Sequence, residues 1–253
     1  MAIVGRMTLG TSRRKRMEAR VDELIHRVEE CLDAFDDASV FTGPSVFFHL
    51  EALSRRRSLT SLKAAIDDRP LLVSIYATLT SWGMHRMGPR GAKLVAFDVF
   101  AGSLREQEER LVRFEALRLE DLKGVEVTEV AGAIWEALIG ISVSATESRL
   151  VAGTKALHHL LPDLLPPMDR RYTDGFFLGA DQTFNSLAFQ KDPAAAFSEV
   201  FPQMARIVRE CRHSFAKRID SGFHTSLPKC VDNAIVGYIL LKRGRAAAEL
   251  LDG

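Results

Sequence analysis

Cysteine is scarce and scattered: Cys31, Cys211 and Cys230 stand far apart in 253 residues. No CxxC or comparable spacing clasps a metal, and an odd number of separated thiols builds no disulfide framework. Such thiols read as buried side chains in a reducing compartment, so a cytoplasmic location is expected. Long apolar runs are missing as well. No window of 18 uninterrupted apolar residues occurs, which predicts no membrane-spanning helix and no membrane partner. The opening Met1-Ala2-Ile3-Val4 meets arginine too soon to form the apolar region of a signal peptide. Charge of one sign is lacking: 34 basic and 33 acidic side chains leave a formal +1, so no global field draws the chain to nucleic acid or an anionic surface. Internal repeats, low-complexity tracts and sustained strand-like alternation are absent too.

What is present is a 47% hydrophobic chain with 26% charged residues, a composition that can bury a sizeable core. Residues 1–12 read as a flexible basic arm and 13–253 as one helical domain or two intimately packed helical lobes. From Arg13 to Phe35 apolar residues recur every three or four positions (Met17, Val21, Leu24, Val28, Leu32, Phe35), the mark of one amphipathic helix closed by Asp36-Asp37. Further helices are expected over 45–53, from a cap at Ser58 or Thr60 through Ile66, over 71–82, from Leu94 onward, over 128–140 and over 144–161. Pro162 ends the last of these. A helix opens at Asp169, a long one spans 194–219 with a break or kink at Pro202, and a final helix follows Pro228. The fold class expected is all-α, an orthogonal multi-helix bundle of about nine to eleven helices.

Three segments carry candidate chemistry. The first is Gly153-Thr154-Lys155-Ala156-Leu157-His158-His159, followed by Leu164-Leu165-Pro166-Pro167-Met168-Asp169-Arg170-Arg171-Tyr172. The prolines fix φ and make this a rigid extended passage leading to an aspartate. About 20 residues here resemble the active-site segment of helix-hairpin-helix DNA glycosylases, in which a glycine-containing hairpin opens a helix and an aspartate begins the next one. The resemblance implies a glycosylase-like fold, cleavage of N-glycosidic bonds in DNA, Asp169 as catalytic carboxylate and Lys155 as the amine of the bifunctional members. It implies phosphate contacts from Arg170 and Arg171 and a pocket lined by Trp82, His158 and Tyr172. The same stretch also resembles segments of uncharacterised bacterial helical proteins, which implies no activity.

Read from the residues alone, Asp169 is equally an N-cap after a proline turn and Lys155 a snorkelling lysine. Adjacent His158 and His159 point about 100° apart on a helix, so no metal is expected, and without a cysteine cluster no iron–sulfur or other cofactor is expected. The second segment, Trp82 to Lys93, combines an aromatic residue with Arg86, Arg90, Lys93 and three glycines, a loop able to meet a nucleic-acid backbone or to serve as a plain connection. The third is the cationic series Arg206, Arg209, Arg212, Lys217 and Arg218, a basic surface or a solvated helix face. Asn233, following Lys229 and Asp232, reads as a buried polar tie for the last helix or as a site residue. With no nucleophile triad, phosphate loop or metal motif, a small-molecule enzyme has no sequence support beyond the possibility of an assembled pocket. The functional alternatives are therefore a glycosylase-like enzyme on DNA and a non-catalytic helical module for nucleic acid or a partner protein, with oligomeric state undetermined.

Overall fold

Arg27 divides what periodicity marks as one long helix. Its backbone leaves helical geometry (φ −115°, ψ 26°), producing α1 (Thr11–His26) and α2 (Val28–Asp37). The Arg27 guanidinium spans the break, 3.2 Å from Glu23 and 2.6 Å from Glu30. The computed structural model describes residues 11–39, 43–85, 93–145, 149–180 and 183–249. Nearly all of the expected basic arm, the loop arginines Arg86 and Arg90, and Thr146 lie outside the described residues. Thr11 and Ser12, assigned to the arm by sequence, already belong to α1.

The helices that follow are α3 (Pro44–Ser58), α4 (Leu62–Asp67) and α5 (Arg69–Leu79), the last continuing into a π-turn over Thr80–Met84. Ser61, rather than Ser58 or Thr60, caps α4 by accepting from the Ala64 amide, and Asp68 caps α5 through the Leu71 amide. Gly83 ends the π-turn at φ 77°, a conformation that L side chains rarely adopt. Then come α6 (Phe97–Glu106), α7 (Glu108–Val112), α8 (Gly124–Gly140) and α9 (Arg149–Leu160). Leu94 and Ser144 form no helix; they meet in an isolated antiparallel bridge. The proline passage leads to a second π-turn, Arg170–Asp174, then α10 (Gly175–Leu178), α11 (Ala188–Lys191), α12 (Pro193–Ala216) and α13 (Leu227–Glu249).

The fold is all-α, and no strand occurs among the described residues. The thirteen α-helices described exceed the expected nine to eleven because α1 and α2 separate at Arg27 and because α10 and α11 are single turns. The 24-residue α12 is helical on both sides of Pro202, so no break occurs there.

Two helices form the spine. Every residue of α9 from Leu150 to Leu160 is buried, which is why no amphipathic stripe can be read from it; it packs among α3, α5 and α8. α13 lies against α2 and α12, and its approach to α2 is set by Gly237, where a Cβ would fall on the Cys31 carbonyl. Most of the apolar core is one continuous cluster, with a small satellite of Phe35, Phe223 and Val236 beside it.

Several arginines are consumed in holding helix ends. Arg13 donates to the Leu178 carbonyl at 2.7 Å and buried Arg20 to the Phe176 and Gly179 carbonyls at 2.9 and 3.1 Å, satisfying the free end of α10. Three of the five cations in the series on and after α12 are likewise engaged within the chain: Arg206 pairs with Asp22 and Glu210, Arg209 donates to the Leu122 carbonyl, and Arg218 meets Glu29, Asp33 and Asp36, whereas Arg212 and Lys217 are exposed.

Gly237→Ala is expected to destabilise the protein by about 1–3 kcal/mol or more, because the new methyl must displace α2 backbone. Gly244→Ala, with open space at its Cβ position, is expected to be neutral or slightly stabilising. Chemical unfolding of the two variants beside the parent measures the difference, and equal stability would mean that α2 and α13 do not meet at Gly237.

Candidate active site between α9 and α13

The α9 sequence grips the proline passage with three side chains. Thr154 Oγ1 accepts from the Met168 amide at 3.2 Å, Lys155 Nζ donates to Asp169 Oδ2 at 3.0 Å, and His158 Nδ1 lies 2.8 Å from the Leu165 carbonyl. Pro166 and Pro167 between these anchors carry no amide hydrogen, so the buried backbone leaves no donor there unsatisfied. Gly153, placed in a hairpin by the resemblance, instead sits inside α9, where a Cβ would press on the Leu138 side chain.

Asp169 does two things. Its Oδ1 accepts from the Arg171 amide at 2.7 Å, the N-cap role for the π-turn. Its Oδ2 takes the Lys155 ammonium. Burial opposes the charge, yet the Lys155 ammonium and the Arg171 and Tyr172 amides outweigh it and hold the carboxyl below the ordinary aspartate range. A third of the Asp169 side chain remains exposed, and the exposed part faces a cavity of about 320 Å³.

That cavity is assembled from five separate parts of the chain, with Ser45 of α3 and Lys155 of α9 joining three larger contributions. The π-turn after α5 supplies Trp82, whose ring lies 5.6 Å from Lys155 Nζ and whose indole donates to the Ser45 carbonyl at 3.2 Å. The proline passage and second π-turn supply Pro167, Asp169 and Tyr172. The first turns of α13 supply Lys229, Asp232 and Val236, spaced i, i+3 and i+7 so that all fall on one face. Lys229 is buried and held at 2.6 Å by Asp232 Oδ2 and at 2.5 Å by Asn233 Oδ1, with the Phe223 ring 4.4 Å away. Burial pulls its pKa down despite the opposing pull of Asp232.

Of the residues singled out by sequence, Lys155, Asp169, Trp82 and Tyr172 therefore line one cavity. Arg170 and Arg171 are exposed and do not line the cavity, although the Arg171 guanidinium lies 5.5 Å over the Tyr172 ring. Lys93 is exposed beside the Leu94–Ser144 bridge, its carbonyl accepting from the Ala145 amide. His158 is fully enclosed and belongs to the core behind the cavity. Lys229 and Asp232 were not anticipated as site residues; their shared face on an otherwise apolar helix was the available signal.

Behind Trp82 lies a buried histidine cluster whose tautomers follow from its acceptors. The Lys155 carbonyl can only accept, so His159 Nδ1 donates to it at 2.8 Å. His159 Nε2 then accepts, at 2.9 Å, from His49 Nδ1, and His49 Nε2 accepts from Thr225 Oγ1 at 3.2 Å. His158 Nδ1 donates to Leu165, and its Nε2 is buried without a hydrogen-bond partner. Burial, the neighbouring histidines and Lys229 push His49 and His158 well below the ordinary histidine range, and burial brings His159 to about 4. Among the described residues no group of histidine, cysteine or acidic side chains is arranged to hold a metal, and no helix is long and apolar enough to cross a membrane. The three cysteines are buried, free thiols raised to about 12 by burial.

Comparison with protein families, curated proteins and solved structures finds no match to this chain.

Because the folded histidines resist protonation and unfolded ones do not, their stabilisation is full above the ordinary value of 6.5 and is lost as pH falls toward 4. His159 alone accounts for a loss on the order of 3 kcal/mol across that window. Unfolding free energies measured from pH 7 to 4 are expected to fall less steeply in His158→Phe than in the parent. Parallel slopes would show that His158 does not resist protonation in the folded chain.

Proposed function

We propose that the cavity binds one nucleoside unit of DNA and that Asp169 acts on its N-glycosidic bond. The observation that carries this reading is the Lys155–Asp169 pair, at 3.0 Å, on a cavity wall flanked by Trp82 and Tyr172. Heterolysis sends the bonding electrons to the departing base and leaves oxocarbenium character on the sugar. A fixed, ionised carboxylate stabilises that charge, and water then adds to the sugar carbon while its proton passes by way of Asp169 to the base. Lys155 serves as the positioning cation that keeps the carboxylate charged and aimed. Trp82 and Tyr172 offer faces on which a base stacks. The cavity is at the small end of ligand pockets, so a duplex substrate delivers its nucleotide by flipping. Exposed Arg170 and Arg171, between the two cavity residues Asp169 and Tyr172, stand where flanking phosphates would pass.

A second reading has its own observation: the 2.7 Å contact from the Arg171 amide to Asp169 Oδ1 is a complete N-cap, as a non-catalytic binding module would need. Release of free base from single- and double-stranded oligonucleotides separates the two. Asp169→Asn is expected to lower the release rate at least 10²-fold while circular dichroism and binding to the oligonucleotide persist. A parent protein that binds but releases no base, or a variant as active as the parent, would leave the module reading standing.

A further inference from the structure

The part of the cavity lining that α13 supplies carries a second lysine–carboxylate pair that base cleavage does not use. Asp232 Oδ2 accepts from Lys229 Nζ at 2.6 Å, and the Asp232 side chain, 10% exposed, opens on the cavity. This pair is held by a directional chain that starts at the surface. Asp36 Oδ1 accepts from His224 Nε2 at 2.9 Å, so His224 Nδ1 is left as acceptor for Asn233 Nδ2 at 3.1 Å. The Asn233 amide is thereby fixed with Oδ1 toward Lys229, which it meets at 2.5 Å. Its Nδ2 also donates to the Phe223 carbonyl. Each link has one possible direction, and the chain ends by anchoring Lys229 and, through it, one oxygen of Asp232. Asp232 also lines the cavity, so its carboxylate, an acceptor-only group, is part of what meets an occupant.

We infer that Asp232 is the specificity-determining residue of the cavity and that it selects a guanine-type base, accepting the two parallel N–H donors of that base's Watson–Crick edge. The inference rests on the nucleoside reading above. A carboxylate presents acceptors alone, which suits an edge carrying a ring N–H beside an exocyclic amine. Adenine, cytosine and thymine each present one such donor group there. With its planar body between Trp82 and Tyr172, a base of this type sets its donor edge toward α13 and its sugar toward Asp169.

Quenching of Trp82 fluorescence by free nucleosides tests this without any need for catalysis, with Trp82→Phe as the control for Trp135. Guanosine is expected to bind at least tenfold tighter than 1-methylguanosine, in which the ring N–H is blocked, with inosine, which lacks the amine, in between. Asp232→Asn is expected to bring guanosine and 1-methylguanosine within about twofold, whereas Asp169→Asn is expected to keep the discrimination. Equal affinities in the parent, Trp82-dependent quenching by no nucleoside, or unchanged discrimination in a folded Asp232→Asn would each overturn the assignment. Should that variant not fold, the ranking of the three nucleosides by the parent decides alone. Guanosine selectivity without base release would sink the catalytic proposal and leave this one intact.

Discussion

Both ends of residue 155 are committed, and most of the site is arranged around that fact. The Lys155 ammonium meets Asp169 and so fixes the end of the proline passage. Its carbonyl accepts from the His159 ring and sets the polarity of a relay through His49 to Thr225, two residues before α13 begins. One residue of a wholly buried helix thus ties together α9, α3, the passage to the second π-turn and the approach to α13. A lysine mostly removed from solvent requires such partners. An ammonium without them would lose its proton or unfold its surroundings.

The interior handles its other buried polar groups in the same way, with chains of hydrogen bonds whose direction is set by a group that can only accept. The Lys155 carbonyl orders the histidines, and the Asp36 carboxylate orders His224, Asn233 and Lys229. In a low-dielectric interior, links of this kind polarise one another and a missing one leaves an exposed penalty. Both chains end at the cavity wall, one behind Trp82 and one beneath Asp232. The supports of the wall admit a single hydrogen-bonding arrangement, the kind of preorganisation that a site needs to hold a group in place.

The sequence made the helical class legible because α1, α2, α6 and α12 alternate apolar and polar faces with a clear period. It failed where periodicity has nothing to report. α9 is buried on every side, so neither its true start nor the interior position of Gly153 can be read from a stripe. The break at Arg27 follows no proline or glycine, so no local signal marks it. For the site, Lys155 and Asp169 drew notice through the proline passage, and their convergence follows from Thr154 and His158 gripping that passage on either side of Lys155. Lys229 and Asp232 belong to a helix 60 residues further along, and no local pattern can show that a distant face completes a cavity.

The charge pattern of the cavity constrains what it can recognise. Two lysine–carboxylate pairs line it, so it has no excess charge with which to attract an anion, and an unpaired ionic ligand entering it would lose hydration without a matching counter-charge. On the proposed nucleoside reading, selection inside comes from stacking on Trp82 and Tyr172 and from the match of donors to acceptors. Net attraction, where the partner is a polyanion, must come from exposed cations outside the cavity, such as Arg170 and Arg171. A formal charge of +1 leaves little surplus, and Arg170 and Arg171 stand exposed in the same short segment that positions Asp169.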